Sequence, residues 1–459
     1  MNSYIKKLMI GATLFAGTAG VSAQSTYSGY FLDNYDYRFQ MNPAFGNDNG
    51  FVSFPALGNL NIHMRGNLHV NDVIYSLNGK TVLFTNPGIN TSDAMSKFGD
   101  KNRLGTNEKI DIITVGFKGL GGYNTVSLSA VANAEVSVPG SFFSLAKEGI
   151  TNKTYDIENM FGYANAYAQL ALNHSRDLSN IVPGLRVGAT LKVLVGAGNI
   201  DFQFNEAKLQ LNEDRWIAQT NADIYASIGG FRFDMDRSKQ TGKDYVSGGN
   251  LDDGYKPQGF GLGLDLGAEY QWNDFKFSAA VLDLGFISWG KTQWASTNGT
   301  KVVDTSAYIF NADDDASNSF KHEMDRVKDD LAQLYQLDKN NELSNRTRAL
   351  AATLNFGAEW ELPYYRNLHF GLLNSTRING RYTWTQFRLS ANVAPVKFLS
   401  ADVNMMAGTY GVGFGWLLNV HPKGFNLFLG MDHTVGKLAK QGVPLNSNAS
   451  FNFGINFPF

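Results

Sequence analysis

The sequence predicts an all-β fold, a transmembrane antiparallel β-barrel of about 14–16 strands. Three observations support it: the last strand, an export signal and a recurring alternation. Residues 450–459 carry a large apolar residue at every second position and end on Phe459. Successive side chains of a strand point to opposite faces, so this segment has one apolar and one polar face. A strand of this length crosses a bilayer when tilted, and a terminal aromatic residue is typical of the closing strand of an outer-membrane barrel.

The first residues have the pattern of an export signal. Lys6 and Lys7 precede an apolar run over residues 8–19, and Val21-Ser22-Ala23 follows as a cleavage site of small residues. The run is too short for a membrane anchor, and no Cys follows it that could carry a lipid. We therefore expect residues 1–23 to be a signal peptide.

The composition agrees with a barrel and argues against other classes. After the signal, no segment reaches the roughly 18 consecutive apolar residues of a membrane helix. The chain of 459 residues contains 33 Phe, 20 Tyr and 48 Gly, and only 17% of its residues are charged. Aromatic girdles and close strand contacts explain that bias. No Cys is present for a disulfide framework, and a net charge of -2 argues against a nucleic-acid partner.

The alternation recurs along the chain and assigns charged residues to the barrel interior. Residues 185–196, 259–271, 350–361 and 384–394 each place apolar residues at alternate positions. The intervening positions of a barrel strand face the lumen, where charges pair or stay hydrated. The residues predicted to line the lumen are Lys192, Asp265, Glu269, Glu359, Glu361 and Arg388.

Connection lengths supply a second test of the barrel. With the C-terminal end in the periplasm, tight turns such as Glu213-Asp214 and Asn273-Asp274 fall on the periplasmic side, and long connections fall on the outer side. Residues 56–70, or the pair 200–211 and 216–232, are alternatively plug or loop, and without the pair the strand number falls from sixteen to fourteen. The candidate strands are roughly 56–70, 110–118, 122–136, 163–174, 185–196, 200–211, 216–232, 259–271, 274–288, 350–361, 366–376, 384–394, 396–408, 410–420, 424–434 and 449–459.

Two long outer segments interrupt the strand pattern. Residues 289–349 form the largest outer insert, and the spacing of apolar residues within it predicts a short amphipathic helix capped by Ser319. This insert is either a lid over the barrel mouth or an ordinary ordered loop. Residues 137–162 contain an apolar patch, Phe142-Phe143-Ser144-Leu145, that we consider able to fold inward. The apolar residues of the predicted helix are Phe320, Met324, Val327, Leu331 and Leu334.

The segment before the first strand is rich in aromatic residues and lacks clean alternation. Residues 37–44 (YRFQMNPA) and 50–59 (GFVSFPALGN) resemble the N-terminus of a Bacteroidetes-type outer-membrane protein family of unknown function. The signal, the periodic strands and the terminal Phe extend this resemblance over essentially the whole chain. Through Asn42, Pro43 and Ala44 the chain is also distantly similar to long-chain fatty-acid transporter-like barrels.

The second similarity implies a fourteen-stranded barrel that is plugged by an N-terminal hatch. Residues 24–50 would form this periplasmic segment or hatch, with Asn42, Pro43 and Ala44 in its turn. The alternative is a simple turn that leads into a strand, because Asn-Pro favours turns in any context.

No motif in the sequence points to catalysis or to a bound cofactor. The seven His residues are scattered and none has the His-Glu-x-x-His spacing, and no Gly-x-Ser-x-Gly elbow occurs. The acidic runs Asp252-Asp253 and Asp313-Asp314-Asp315 lack the spacing of a calcium loop, so we interpret them as solvated. We therefore expect no enzyme, no cofactor and no metal site.

These predictions divide the chain into a signal peptide (1–23), a hatch (24–50) and an outer-membrane barrel (51–459). The expected location is the outer membrane of a Gram-negative bacterium. Membrane lipid, lipopolysaccharide and the barrel assembly machinery, which would read Phe459 as its signal, are the expected partners.

Two functions compete. The first is a transporter or channel for small hydrophobic or amphipathic molecules, favoured by the lumen charges and the aromatic N-terminal segment. The second is a closed barrel that serves as a scaffold for surface or secreted protein partners, favoured by the outer inserts at 233–258 and 289–349. A soluble secreted β-sandwich is an alternative to the membrane placement, but one domain of this length without Cys or linker argues against it.

Overall fold

The computed structural model describes seven stretches of the chain: residues 26–149, 151–212, 215–237, 242–251, 256–304, 336–434 and 447–459. The predicted signal peptide, the predicted helix at 320–334 with its Ser319 cap, and both acidic runs lie outside the described residues. The described part of the chain forms one closed antiparallel sheet and two separate hairpins. No helix within these stretches is long and apolar enough to cross a membrane.

The closed sheet is a barrel with fourteen strand positions in its wall. It closes where β23 pairs with β1 and β2, with Phe51 opposite Pro458 and Leu60 opposite Phe453. The strands are β1 (Phe51–Ser53), β2 (Asn59–Gly66), β3 (Ile74–Leu77), β4 (Lys80–Leu83), β5 (Lys101–Gly119), β6 (Gly122–Pro139), β7 (Thr154–Asp156), β8 (Phe161–Asp177), β9 (Leu185–Leu211), β10 (Arg215–Ile228), β11 (Phe231–Arg237), β12 (Asp244–Leu251), β13 (Gly259–Trp272), β14 (Phe275–Asp304), β15 (Asp338–Lys339), β16 (Leu343–Ala349), β17 (Ala352–Glu361), β18 (Leu368–Ile378), β19 (Trp384–Val396), β20 (Leu399–Gly408), β21 (Gly411–Val420), β22 (Asn426–Met431) and β23 (Ala449–Pro458).

Helices are few and short in the described part of the chain. The α-helices α1, α2 and α3 lie in the connections between wall strands, and three single-turn 3₁₀-helices accompany them. Their bounds are α1 (Val70–Val73), α2 (Thr91–Met95), α3 (Gly140–Glu148), and Tyr27–Gly29, Arg38–Gln40 and Gly380–Tyr382 for the 3₁₀-helices.

The two ends of the barrel differ in their connections. At the short-turn end, wall strands are joined by tight turns such as Leu120-Gly121, Asn273-Asp274 and Lys397-Phe398. The opposite, long-loop end carries α1–α3 and the hairpins β3–β4 and β11–β12. This asymmetry is the one expected of an outer-membrane barrel.

The strand number is fourteen, at the lower bound of the predicted range, and the sixteen-strand list was wrong at two places. Predicted strands 185–196 and 200–211 are one strand, β9, because residues 196–198 form a bulge rather than a turn. Strands β10 and β13 share one wall position, since β10 pairs with the outer half of β9 and β13 with its inner half. The described ends of β9 and β10, Leu211 and Arg215, therefore lie at the long-loop end, which contradicts a periplasmic connection between them; Glu213 and Asp214 themselves lie outside the described residues.

The predicted outer insert 289–349 is also largely sheet where it is described. Strand β14 continues to Asp304 and pairs with β10, while β15 and β16 return along its other edge. The apolar patch at 142–145 forms part of α3. Its Phe143 ring stacks on Phe98 at 3.9 Å between centroids and packs with Phe84 in a separate cluster at the long-loop end.

The outer face of the wall is an apolar band. Side chains such as Leu389, Met405 and Leu372 are 63%, 61% and 52% exposed, although they lie in the middle of strands. At the short-turn end aromatic rings dominate this face, with Trp272 against Phe275 among them. An apolar belt flanked by aromatic rings is the surface of a membrane-spanning barrel.

Candidate functional site: the barrel interior

Residues 26–50, here called the inner segment, lie inside the barrel. Two 3₁₀ turns fold this stretch into a compact plug-shaped unit, and the rings of Tyr30, Tyr35 and Tyr37 are fully buried. Tyr35 and Tyr37 stack edge-on against Phe428 of the wall. The aromatic residues that break strand alternation in the sequence are thus the residues that fill the lumen.

The inner segment touches all fourteen wall positions. Most contacts are side-chain hydrogen bonds from wall residues, and Asn side chains that donate to inner-segment carbonyls recur among them. The wall residues in contact, in order around the barrel, are Phe51, Asp111, Tyr123, Asn173, Gly188, Ala268, Ser278, Asn355, Gly371, Arg388, Asn404, Asn419, Asn426 and Asn456.

The candidate hatch residues make hydrogen bonds both to the wall and within their own turn. The Asn42 amide donates to the Ala268 carbonyl at 3.1 Å, and its own oxygen accepts the Ala44 N–H at 3.0 Å. The Pro43 carbonyl accepts a hydrogen bond from Asn173 at 3.2 Å. These bonds hold the turn against the wall, because side-chain amides on each side donate to backbone carbonyls on the other.

Asp432, which sequence reasoning missed, anchors the start of the inner segment. Its carboxylate accepts the backbone N–H of Tyr27 at 2.9 Å, and the N–H and hydroxyl of Ser28 at 2.6 and 2.7 Å. Arg388, a predicted lumen residue, lies 3.6 Å from the same carboxylate, and His63 lies 3.3 Å from it. The carboxylate follows β22 directly, outside any alternating run, and so carried no sequence signal.

The other predicted lumen residues also point inward, but into separate clusters. Lys192 binds Asp265 at 2.8 Å and Asp283 at 2.6 Å. Asp283 was missed because a bulge in β14 shifts the alternation there, leaving Leu282 and Asp283 both turned inward. The alternation alone gives no sign of that shift.

A third cluster lies near the short-turn end. Glu359 binds His369 at 2.6 Å and lies 3.6 Å from Lys276, which reaches Asp33 of the inner segment at 3.0 Å. Glu269 is half-buried on the neighbouring strand β13. Glu361 pairs at 3.0 Å with the exposed Arg366 at the rim, outside the cluster.

Two cavities flank the inner segment. The upper cavity lies toward the long-loop end, and the volume open to the centres of water molecules within it is about 70 Å³. The lower cavity leaves about 300 Å³ and adjoins the short-turn end. The upper cavity is lined by Tyr27, Gln40, Met41, Asn107, Lys109, Val131, Asn133, Tyr167, Gln169, Lys192, Leu282, Asp283, Thr353 and Arg377. The lower cavity is lined by Phe31, Leu32, Asp33, Asn34, Lys276, Glu361, Arg366, Asn367, His369, Asn392, Val393, Ala394 and Ser400.

Residues 379–383, here called the mouth loop, cross the upper end of the lumen. The loop joins β18 to β19, yet its Tyr382 ring packs edge-on against Phe161 and Tyr163 of β8, at 4.8 and 4.9 Å between centroids. Asn379 donates to the Tyr163 hydroxyl at 2.9 Å. The inner segment, through Tyr27, Gln40 and Met41, bounds the upper cavity, and the mouth loop crosses the lumen between β18 and β8.

One carboxyl of the inner segment titrates near neutral pH. Burial raises the pKa of Asp36 to about 7, against the opposing effect of a hydrogen bond from Asn426. The Asn426 amide donates to that carboxyl at 2.8 Å. The charge at this wall contact is therefore sensitive to pH in the physiological range.

Comparison with solved structures returns other barrels. The toluene transporter TodX of P. putida matches at 9% identity over 96% of this chain and 94% of its own, with a TM-score of 0.36. A FadL homologue of Pseudomonas aeruginosa matches at 8% identity over 96% and 97%, with a TM-score of 0.42. The translocator domain of the autotransporter NalP from Neisseria meningitidis matches at 9% over 99% and 96%, with a TM-score of 0.31.

Comparison with families confirms the resemblance that residues 37–44 and 50–59 predict. No curated protein matches the sequence. The model of a family of unknown function, DUF5723, matches residues 43–432, which is most of the chain and of the barrel. The chain belongs to this family of unknown function, DUF5723.

Proposed function

We propose that this chain is an outer-membrane barrel of a Gram-negative bacterium that admits small molecules through its lumen, with the inner segment as the closing element. One observation carries the proposal: the inner segment touches every wall position and has a cavity on each side. A structural filler would leave no reason for cavities that face opposite ends of the barrel. A closing element, in contrast, is expected to separate one cavity at the long-loop end from another at the short-turn end.

Amphipathic molecules suit the interior better than hydrocarbons do. Nine of the fourteen residues that line the upper cavity are polar or charged. An apolar ligand would strip water from these groups without replacing their hydrogen bonds, which is unfavourable. Purely hydrophobic molecules are therefore less well supported as substrates than amphipathic molecules.

Solute uptake by proteoliposomes tests the proposal, and the absence of Cys from the chain makes the test clean. The double variant Asn34→Cys with Asn419→Cys places one thiol on the inner segment and one on β21, beside the contact where the Asn419 amide donates to the Asn34 backbone carbonyl at 2.8 Å. Oxidation should tether the inner segment to β21 and slow the uptake of small solutes, and reduction should restore it. The single-Cys variants are the controls. Equal uptake by the oxidised and reduced double variant would contradict the proposal.

A partner-binding scaffold is the second candidate function, and the long strands favour it. Strands β9 and β14 have 27 and 30 residues, whereas about 9–11 residues span a membrane. With β10 they continue as a sheet beyond the apolar band and carry the β11–β12 hairpin. If this sheet binds a protein, deletion of residues 231–251 should abolish the recovery of that protein with the barrel from native membranes.

Assembly into the membrane implies further partners. We infer that lipid and lipopolysaccharide contact the apolar band, and that Phe459 is the signal read by the barrel assembly machinery. Its side chain is 72% exposed, while its backbone N–H donates to Gly50 at 2.8 Å. Phe459→Ala should lower the yield of assembled barrel in the outer membrane; unchanged yield would refute this role.

A further inference from the structure

Arg377 is a buried cation of the upper cavity that lacks an ion pair. It lies near the end of β18, is 9% exposed and points inward. Among the residues that the structure describes, its Nε has no hydrogen-bond partner and no carboxylate lies within ion-pairing distance. A buried charge without a counter-ion is costly unless something else supplies the missing charge.

Three other inward cations have a carboxylate within ion-pairing distance. Lys192 has Asp265 and Asp283, Lys276 has Asp33 and Glu359, and Arg388 has Asp432. Lys109, also in the upper cavity, lies 3.7 Å from Asp111. Asp111 is already engaged by Gln40 and Asn59 at 2.8 Å each and by Ser129 at 2.5 Å. Among the described cations that line the cavity, Lys109, Lys192 and Arg377, it is therefore Arg377 that has no carboxylate at ion-pairing distance.

The acidic groups near Arg377 act on it from beyond ion-pairing distance, and both are shared with other cations. Asp283 is held by Lys192. Glu135, a buried carboxylate toward the mouth, is within electrostatic range of Arg377 but also of Arg65 and Arg103. One carboxylate among three guanidinium groups leaves a positive field at the entrance to the cavity, which favours the approach of anions.

The size and lining of the cavity limit what could occupy it. Its volume corresponds to roughly five water molecules, or about 150 Å³ of liquid, which is too little for an extended long acyl chain. The amides of Gln169 and Asn107 and the rings of Tyr27 and Tyr167 complete its walls. A small, flat, hydrogen-bonding solute fits these walls.

We infer that the upper cavity binds a small organic anion, a carboxylate or a phosphate monoester, with Arg377 as its principal anion-binding group. The inference builds on the proposed transport function and names its substrate class. A planar guanidinium binds carboxylate or phosphate oxygens through paired N–H donors, and Lys109 adds a point charge. The bound anion supplies the direct ion pair that Arg377 lacks among the described wall residues.

Isothermal titration of the detergent-solubilised mature protein tests the inference with benzoate and phenyl phosphate as probes and benzamide as the uncharged analogue. At least one anion should bind saturably, and at least tenfold more tightly than benzamide. Arg377→Gln should weaken anion binding at least tenfold and leave benzamide unchanged, and Arg377→Lys should restore part of the loss.

Arg366→Gln is the matched control, because this guanidinium is 68% exposed at the short-turn rim. It should bind the anions as the unaltered protein does, and near-ultraviolet circular dichroism should show that every variant is folded. Equal binding of benzoate, phenyl phosphate and benzamide, no saturable binding of either anion, or full anion binding by folded Arg377→Gln would overturn the inference.

Uptake by proteoliposomes separates this inference from the proposed function. Anion binding without uptake of any solute would refute transport and leave the site standing. Uptake of benzoate and benzamide at equal rates, without anion binding, would refute the site and leave transport standing.

Discussion

Individual buried polar residues of the wall hold the inner segment in place through hydrogen bonds. Asp432 accepts three of them, from Tyr27 and Ser28. Its carboxylate joins Tyr27 and Ser28 of the inner segment to Arg388 of the wall. Its removal would leave two backbone N–H groups unbonded and one guanidinium without its counter-ion.

We predict that Asp432→Ala lowers the free energy of local opening of residues 26–32 by about 3–5 kcal/mol, the cost of breaking a buried ion pair. Asp432→Asn keeps an acceptor oxygen and should lose less. Hydrogen–deuterium exchange of this stretch measures both effects. Glu361→Gln is the control, because its partner Arg366 is largely exposed and such pairs contribute about 0–1 kcal/mol. Unchanged exchange in Asp432→Ala would contradict the anchoring role.

Asp36 gives the inner segment a dependence on pH. Its pKa in the folded protein, about 7, lies above its ordinary value of 3.8. The folded state therefore retains a proton that the unfolded state releases between these values, so this contribution to stability is full below pH 3.8 and is lost as pH rises through 7. We predict that exchange protection of residues 33–40, corrected for intrinsic rates, falls from pH 5 to pH 8. Asp36→Asn should flatten the profile; parallel profiles would contradict the prediction.

At the residue scale, alternation marks the face of a side chain where the run is unbroken. The side chains of Lys192, Asp265 and Glu359 all point inward, as their positions in alternating runs require. Asp283 lies at a bulge, and Arg377 lies in a run where Asn and Ser make both faces polar. Neither has a local pattern that marks the face it occupies.

At the scale of elements, glycines in the wall strands set how closely the inner segment approaches the wall. A Cβ added at Gly371 of β18 would overlap the Phe31 ring, and one at Gly357 of β17 would lie 2.9 Å from Tyr30 Cε1. The inner segment therefore packs against the bare backbone of β17 and β18.

We predict that Gly371→Ala displaces the inner segment and raises solute uptake by proteoliposomes, because overpacking costs about 1–3 kcal/mol at this contact. Gly263→Ala is the matched control: the nearest atom to its new Cβ would be Leu350 Cδ1 at 3.3 Å, away from the inner segment. Uptake should stay at the unaltered level there. An increase in both variants, or in neither, would count against displacement.

Element boundaries were the least predictable part of the fold. Alternation identifies a strand but not the point at which it leaves the membrane, so β9 was divided at its bulge and β14 was ended before Asp304. The shared wall position of β10 and β13 depends on pairing between segments that are far apart in sequence. No local pattern encodes such pairing.

At the scale of the whole molecule, the apolar band places the barrel in a membrane. Leu389 is 63% exposed on the wall, and Leu251 is 59% exposed on the β12 hairpin strand, outside the closed sheet. We predict that Leu389→Arg destabilises the folded barrel in lipid by about 2–4 kcal/mol, while Leu251→Arg is near neutral. Urea unfolding in lipid vesicles measures both. Equal effects would argue that the band does not face lipid.

The central claim, that the inner segment closes the lumen, is tested most directly by single-channel conductance in planar bilayers. The mature chain and a variant without residues 24–50 are compared, with insertion of both confirmed. We predict a closed mature chain and steady conductance after the deletion. Steady conductance of the unaltered chain, or silence of the inserted deletion variant, would contradict the account.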